Sequence, residues 1–354
     1  MRRSVIPASV IVLSLLSLVT LSSIAPSLVA KQLTFFLIGF AIFWVISRVS
    51  FNHISEFRLA AYVGLVGLLV VTLAFGQDTR NTARWISVGG LFVIQGSQLA
   101  IPIVGLLMSH MLSTTRQISF SRLFTALTTV AIPAALILIS PDLGTTLAFV
   151  ASVGVSIFLS RTKLWHLATL AAVGLILIVL SWEFILHDYQ RARLSSFLDS
   201  QDIQGASYNA RQALIAVGSG GMFGRGLGQG VQSHLRFLPE RQTDFVFASF
   251  SEEFGFVGGS ILILTYGLLV TAILRIGMRQ EQQSAELFCY IVAAMVVVQA
   301  GVNIGMNIGL LPITGITLPL MSYGGSSILS ISGTLGIVQA LANQHQQRET
   351  RYIH

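Results

Sequence analysis

The chain has 354 residues, of which 53% are apolar and only 10% charged, with a mean hydropathy of +0.78. Soluble globular chains carry about 25% charged residues, so a single water-soluble core is excluded and lipid must solvate much of the surface. Cys289 is the lone cysteine, which excludes a disulfide framework, and the net charge of +7 falls in small basic groups between apolar runs, which reads as membrane anchoring rather than nucleic-acid binding.

A membrane span needs about 20 apolar residues. In chain order, such runs predict helices at 4–25, 32–49, 59–76, 91–112, 123–140, 143–160, 164–186, 246–274, 286–305 and 323–342. The first run follows Met1-Arg2-Arg3 and begins like a signal peptide. It exceeds the apolar region of such a peptide, about 7–15 residues, so a retained span is expected. Backbone groups in lipid must be satisfied internally, and the alternation of a membrane barrel is absent. The expected fold is an all-α integral membrane protein of about ten transmembrane helices. It is one polytopic domain over 1–354, with a long extracytoplasmic loop at 187–245 between spans 7 and 8 and a re-entrant segment before the last span.

Arg2, Arg3, Arg48, Arg58, Arg116, Arg122, Arg161, Lys163, Arg275, Arg279, Arg348 and Arg351 fall on one side of this plan. That side is expected to be cytoplasmic, with both termini there. The opposite side receives Lys31, the 77–90 loop, the 141–142 turn, the 187–245 segment and the 305–322 segment. Long loops cross largely regardless of charge, so the arginines of 187–245 are compatible with this orientation.

That long loop carries arginines 191, 193, 211, 225, 236 and 241 and the acids Asp188, Asp199, Asp202, Glu240 and Asp244. Arginine suits phosphate through its planar fork of donors, and a carboxylate beside such a site can serve as a general base. A solvated loop with ordinary surface charge is the plain alternative. Asp244 tips the reading toward function, because it leads straight into a mostly apolar helix, where an ionisable group is costly. Asp142 is a candidate N-cap of the next helix or a polar group facing a cavity, and the two are compatible. Gln299, Asn303 and Asn307 share a helix face and are expected to bond to neighbouring helices. Pro312, Gly315 and Pro319 mark a broken segment that needs protein or water around it. Tyr323-Gly324-Gly325-Ser326-Ser327 opens the last span with small residues that allow close packing or a ligand.

Arg84-Trp85 reads as an interfacial anchor or as a holder of a sugar or lipid headgroup. The glycine-rich run Gly218–Gly228 is neither a Walker loop nor a dinucleotide turn, since no strand precedes it. The seven histidines show no helix-face metal spacing, so no metal site is read. Glu252-Glu253 has the chemistry for a hard cation, but packing against the basic loop is the expected role.

Several motifs stand in order: Tyr208-Asn209-x-x-Gln212, Ala216-Val217-Gly218-Ser219-Gly220-Gly221, Gly226-x-Gly228-Gln229, Phe237-Leu238-Pro239-Glu240-Arg241-Gln242-Thr243-Asp244-Phe245 and Glu252-Glu253-x-Gly255. Asn303-Ile304-Gly305-Met306-Asn307-x-Gly309-Leu310-Leu311-Pro312-x-Thr314-Gly315 and Ser322–Ser327 complete the series. Through them the chain resembles the SEDS proteins, the RodA/FtsW family of bacterial cell-wall polymerases. Ser233-His234 and Pro239-Glu240-Arg241 are closer to the RodA (elongation) branch than to the FtsW (division) branch.

The resemblance implies a peptidoglycan glycosyltransferase of the bacterial inner membrane that polymerises lipid II for cell shape. Asp244 would be the catalytic base. Arg84, Trp85, Arg191, Arg193, Gln212, Glu240, Arg241, Ser326 and Ser327 are the candidate substrate contacts. A divalent cation, Mg or Mn, is a candidate cofactor, and a class B penicillin-binding protein is the implied partner beside membrane lipid. One departure stands out: the family's Gln-x-Ser-Glu-x-x-Lys reads Gln95-Gly96-Ser97-Gln98-Leu99-Ala100-Ile101 here. Losing both members of a buried ion pair is near neutral for the fold, whereas losing one is not. Two other functions compete, a flippase for lipid-linked precursors and a non-catalytic scaffold of the cell-wall machine. A transporter concentrates ionisable groups near the midplane, whereas most here lie in a loop.

Overall fold

A computed structural model describes residues 4–79, 82–88, 92–114, 117–160, 162–184, 191 and 206–353. The first helices are α1 (Val5–Ile24), α2 (Pro26–Ile46), the short α3 (Phe51–Glu56) and α4 (Arg58–Phe75). Pro26 takes the first position of α2, so a one-residue turn at Ala25 starts that helix earlier than the apolar run at 32–49 implied. Strands β1 (Gln77–Thr79), β2 (Thr82–Val88) and β3 (Phe92–Ile94) follow, then a 3₁₀ turn at Gly96–Leu99 and α5 (Ala100–Leu112).

Next come α6 (Phe120–Ile139), α7 (Leu143–Leu159) and α8 (Leu164–Phe184). Beyond them lie α9 (Ala206–Ser219), α10 (Val231–His234), α11 (Val246–Gly277), α12 (Gln283–Asn307) and α13 (Gly325–Ile353). Caps set several starts: Ser119 accepts from Arg122 N at 3.4 Å, and Asp142 Oδ1 accepts from Thr145 N at 3.2 Å. Among the described residues, seven helices are long and apolar enough to cross a membrane, and three shorter apolar helices join them. All ten lie where the sequence places its spans.

Four expectations need correction. The span expected at 91–112 begins as strand and becomes α-helical only at Ala100. The apolar run is real, but Phe92-Val93-Ile94 pairs with β2 in a small antiparallel sheet of order β1-β2-β3. Within the expected 77–90 loop, Gln77–Thr79 and Thr82–Val88 are therefore paired strands, with Gln77 opposite Trp85. The last helix runs on past 342 to Ile353. Residues 206–219 of the expected loop are a helix whose Ala213 and Ala216 are buried against Leu238, Phe245 and Ala248.

Helix α12 lies at the centre and packs on α5, α7 and α11, while α13 packs along α2. Because consecutive spans reverse direction, the turn at Ala25, the sheet, the turn at 140–142, the 206–245 segment and the stretch before α13 gather at one end of the bundle. Side-chain bonds cross between them: Arg241 to Ile24, Gln95 to Asp142, and the backbone of Gln95 to Ser326.

Candidate functional site

Asp244 is half-buried and stands one residue before Phe245, the non-helical residue that starts α11. Its backbone carbonyl accepts from Asn303 Nδ2 at 3.0 Å and from Asn307 Nδ2 at 3.1 Å. Asn303 also donates to Ile316 O at 2.7 Å, and Asn307 Oδ1 accepts from Ala248 N at 3.2 Å. Both asparagines are fully buried, so each bond replaces one that water cannot make. The neighbouring carbonyls are held as well. Ser249 Oγ donates to Arg241 O at 3.3 Å, Tyr323 N to Gln242 O at 2.8 Å and Ser322 Oγ to Thr243 O at 2.6 Å. Four consecutive carbonyls, 241 to 244, are thus gripped by α11, α12 and the segment leading into α13.

The stretch between α12 and α13 has no helix or strand, as the prolines implied. Buried side chains satisfy its backbone: Ser17 Oγ reaches Met321 O at 2.8 Å, and Gln32 Nε2 reaches Ser322 O at 3.2 Å. At Gly315 φ is +76°, and a side chain's first carbon there would lie 3.6 Å from Asp244 Oδ2. Glycine thus leaves the space beside the carboxylate open. Ser17 and Gln32 were missed in the sequence. Their signal was a polar residue inside an apolar span, which calls for a partner.

Glu240 adopts φ +51°, and its carbonyl accepts from Thr243 N and Phe245 N, which tightens the turn that presents Asp244. Arg241 sends Nε and Nη2 to Ile24 O at 3.1 and 2.9 Å, which caps the C-terminus of α1. Burial first, and then the charge of Arg236, pull its pKa below the ordinary guanidinium value; it remains a cation. Ser327 Oγ lies 3.4 Å from Thr317 Oγ1, and Ser326 Oγ accepts from Gln95 N at 3.0 Å. Gln95 Nε2 in turn donates to Asp142 Oδ2 at 3.2 Å, so Asp142 is both a helix cap and a buried polar junction. A small cavity beside it is lined by Thr72, Ser97 and Ser140 among others. Near this junction Ile101 is buried in the apolar core, and the Gln98 carbonyl accepts from Ser330 Oγ at 2.6 Å.

Glu252 and Glu253 are buried and pack against the 228–233 stretch of the basic loop, as expected. Glu252 accepts from Gln232 N, Ser233 N and Ser233 Oγ at 2.8, 3.0 and 2.6 Å, so it sits at the N-terminus of α10. Glu253 accepts from Ser23 Oγ and from Gly228 N at 3.1 Å. The glycine-rich run proves structural. Helix α11 breaks at Gly255, φ +66° and ψ −163°. Phe256 N and Val257 N donate to Gly221 O and Met222 O, while Arg225 N and Gly226 N donate to Glu252 O and Glu253 O. The loop thereby satisfies the backbone groups that the break exposes. A methyl at Gly224 would lie 2.0 Å from Glu253 O.

The structure brings Asp244, Glu240, Arg241, Ser326 and Ser327 to one end of the bundle. Gln212 is half-buried in α9, which packs on α11. Arg191 bonds the Glu183 carbonyl at 2.8 Å beyond the end of α8. Trp85 is half-buried in β2; Arg84 is a β2 backbone position whose side chain lies outside the described residues, as does all of Arg193. Among the described residues no group of three or more His, Cys, Asp or Glu is placed to hold a metal ion. No step is routed through a divalent cation.

The family model described as "cell cycle protein", FtsW/RodA/SpoVE, matches residues 4–347. The chain belongs to this family. It is 37% identical over 285 residues to the Escherichia coli K12 protein named peptidoglycan glycosyltransferase MrdB, covering 79% of this chain and 76% of that one. It is 34% identical over 315 residues to stage V sporulation protein E of Bacillus subtilis, covering 87% and 85%. Among solved structures, a chain from a study of polymerization and crosslinking by a peptidoglycan synthase complex superposes with a TM-score of 0.84 at 27% identity, over 97% of this chain and 98% of that one. The rod shape determining protein RodA of Thermus thermophilus superposes at 0.73 with 26% identity, over 97% and 96%.

Proposed function

We propose that this protein is a peptidoglycan glycosyltransferase that polymerises lipid II, with Asp244 as the general base. The observation that carries the reading is the grip on carbonyls 241 to 244, which fixes a half-buried carboxylate beside Gly315 at the polar end of a membrane bundle. The names of the relatives support the reaction class. The acceptor sugar hydroxyl gives its proton to Asp244 as its oxygen bonds to the donor's anomeric carbon. The bond from that carbon to the lipid pyrophosphate breaks, and the pyrophosphate departs with the electron pair. Arg191, Arg193 and Arg241 supply positive charge toward that leaving group. Arg84, Trp85, Gln212, Glu240, Ser326 and Ser327 contact the substrate. Both lipids enter by their tails, and holding them in line contributes through orientation, roughly 7–11 kcal/mol at best.

The site end faces outward, with both termini cytoplasmic; the support is the bias of arginine and lysine toward the opposite connections. A class B penicillin-binding protein is the partner, and elongation the setting. The test is a glycan gel from purified protein in vesicles supplied with lipid II and that partner. Wild type is expected to give polymer and Asp244→Ala none. Polymer from Asp244→Ala would remove the base, and none from wild type would remove the enzyme in favour of a flippase or scaffold.

A further inference from the structure

We propose that the glycine-rich loop is a membrane wedge: the side chains of Met222 and Phe223 insert into the bilayer leaflet nearest the site, with Arg225 at its headgroup level. Helix length sets the depth. Helix α11 has 32 residues, about 48 Å at ~1.5 Å per residue, against roughly 30 Å of hydrocarbon. The stretch from Phe256 to Gly277 is about 33 Å long and spans the hydrocarbon alone. The turns before Gly255 therefore stand outside it, and Val246 to Glu253 are accordingly buried in protein. Beyond the break, Phe256, Ile261, Leu264 and Leu268 are exposed, as a lipid-facing stripe requires. Gly255 thus marks the lipid boundary.

The loop is fastened at that level, since Phe256 N and Val257 N bond to Gly221 O and Met222 O. Its tip carries Phe223, 81% exposed, and Met222, 59% exposed, beside the exposed Phe256. In water this would be a bare apolar step. At the boundary it continues the lipid-facing stripe of α11, with the apolar side chains in the acyl region. The exposed Arg225, steadied by its Nε bond to Ser219 O at 3.2 Å, supplies the cation that phosphate headgroups favour. A partner protein seated on this face is the competing occupant. Boundary depth and continuity with the stripe favour lipid.

The test labels Phe223→Cys with an environment-sensitive fluorophore in a Cys289→Ala background, in phosphatidylglycerol–phosphatidylethanolamine vesicles without any partner. Met222→Cys repeats it, and the exposed Gln229→Cys is the aqueous control. Both wedge side chains are exposed, so neither substitution removes packing. The expected result is blue-shifted emission at 222 and 223 that loses most of its intensity to nitroxides near the top of the acyl chain and little to aqueous iodide. Quenching by iodide with none from lipid would overturn the wedge. So would shielding that arises only when a penicillin-binding protein is added. The readout needs no catalysis, so failure of the glycosyltransferase reading would leave this result intact.

Discussion

Asp244 and Glu252 both precede the break in α11, one before its first turn and the other shortly ahead of Gly255. Glu252 is 0% exposed, and its carboxylate is occupied by the N–H groups and hydroxyl at the start of α10. Asp244 is held the other way round. Its main-chain carbonyl takes the bonds from Asn303 and Asn307, and its half-buried side chain lies beside Gly315. The fold has built one carboxylate into its own stability and has fixed the other by its backbone. Residue type alone does not separate the two; the groups seen to hold each residue do, the α10 donors on the Glu252 carboxylate and the two asparagines on the Asp244 carbonyl.

This contrast can be broken or sharpened by substitution. Glu252→Leu should have the largest effect on stability, because it orphans the buried N–H of Ser233 and the part-buried N–H of Gln232 at about 1–3 kcal/mol each, roughly 2–6 in all. A large fall in the thermal midpoint in detergent is expected, and an unchanged midpoint would end the structural assignment. Gly224→Ala should follow, at roughly 1–3 kcal/mol or more, since φ is +84° and the added methyl would press on Glu253 O. Protease cleavage within 220–228 should rise.

Asn307→Ala should cost about 1–3 kcal/mol, because the buried Ala248 N–H loses its acceptor and the Asp244 carbonyl keeps only one of its two donors. Polymerisation should fall more than stability does, because the grip on Asp244 loosens; equal loss of both would make Asn307 merely structural. Arg241→Lys should be the smallest, about 1 kcal/mol, since an ammonium replaces the fork on Ile24 O with a single point contact. Thermal unfolding of the pair measures it.

The spans were legible because about 20 apolar residues in a row leave the chain few alternatives to a membrane helix. Phe92-Val93-Ile94 is not legible as a strand, because a short apolar run carries no period that separates strand from helix and its partner β2 becomes known only with the sheet. Helix α9 leaves no helical signature in the sequence because its buried face is two alanines, too small to mark a stripe. The shared face of Asn303 and Asn307 was visible at i, i+4. Their target, 59 and 63 residues away, was not. The glycine run was excluded as a phosphate loop, but its role depends on the break at Gly255, which no local pattern announces. Asp244 was legible because a carboxylate at the mouth of an apolar helix is costly without a purpose.

The most direct measurement takes Asp244→Asn and Glu252→Gln side by side, recording lipid II polymerisation and the thermal midpoint of each. Asp244→Asn should lose about 10²–10⁴-fold in rate with its midpoint near wild type, while Glu252→Gln should lower the midpoint and keep activity below it. An active Asp244→Asn, or one that loses activity only because it unfolds, would contradict the account.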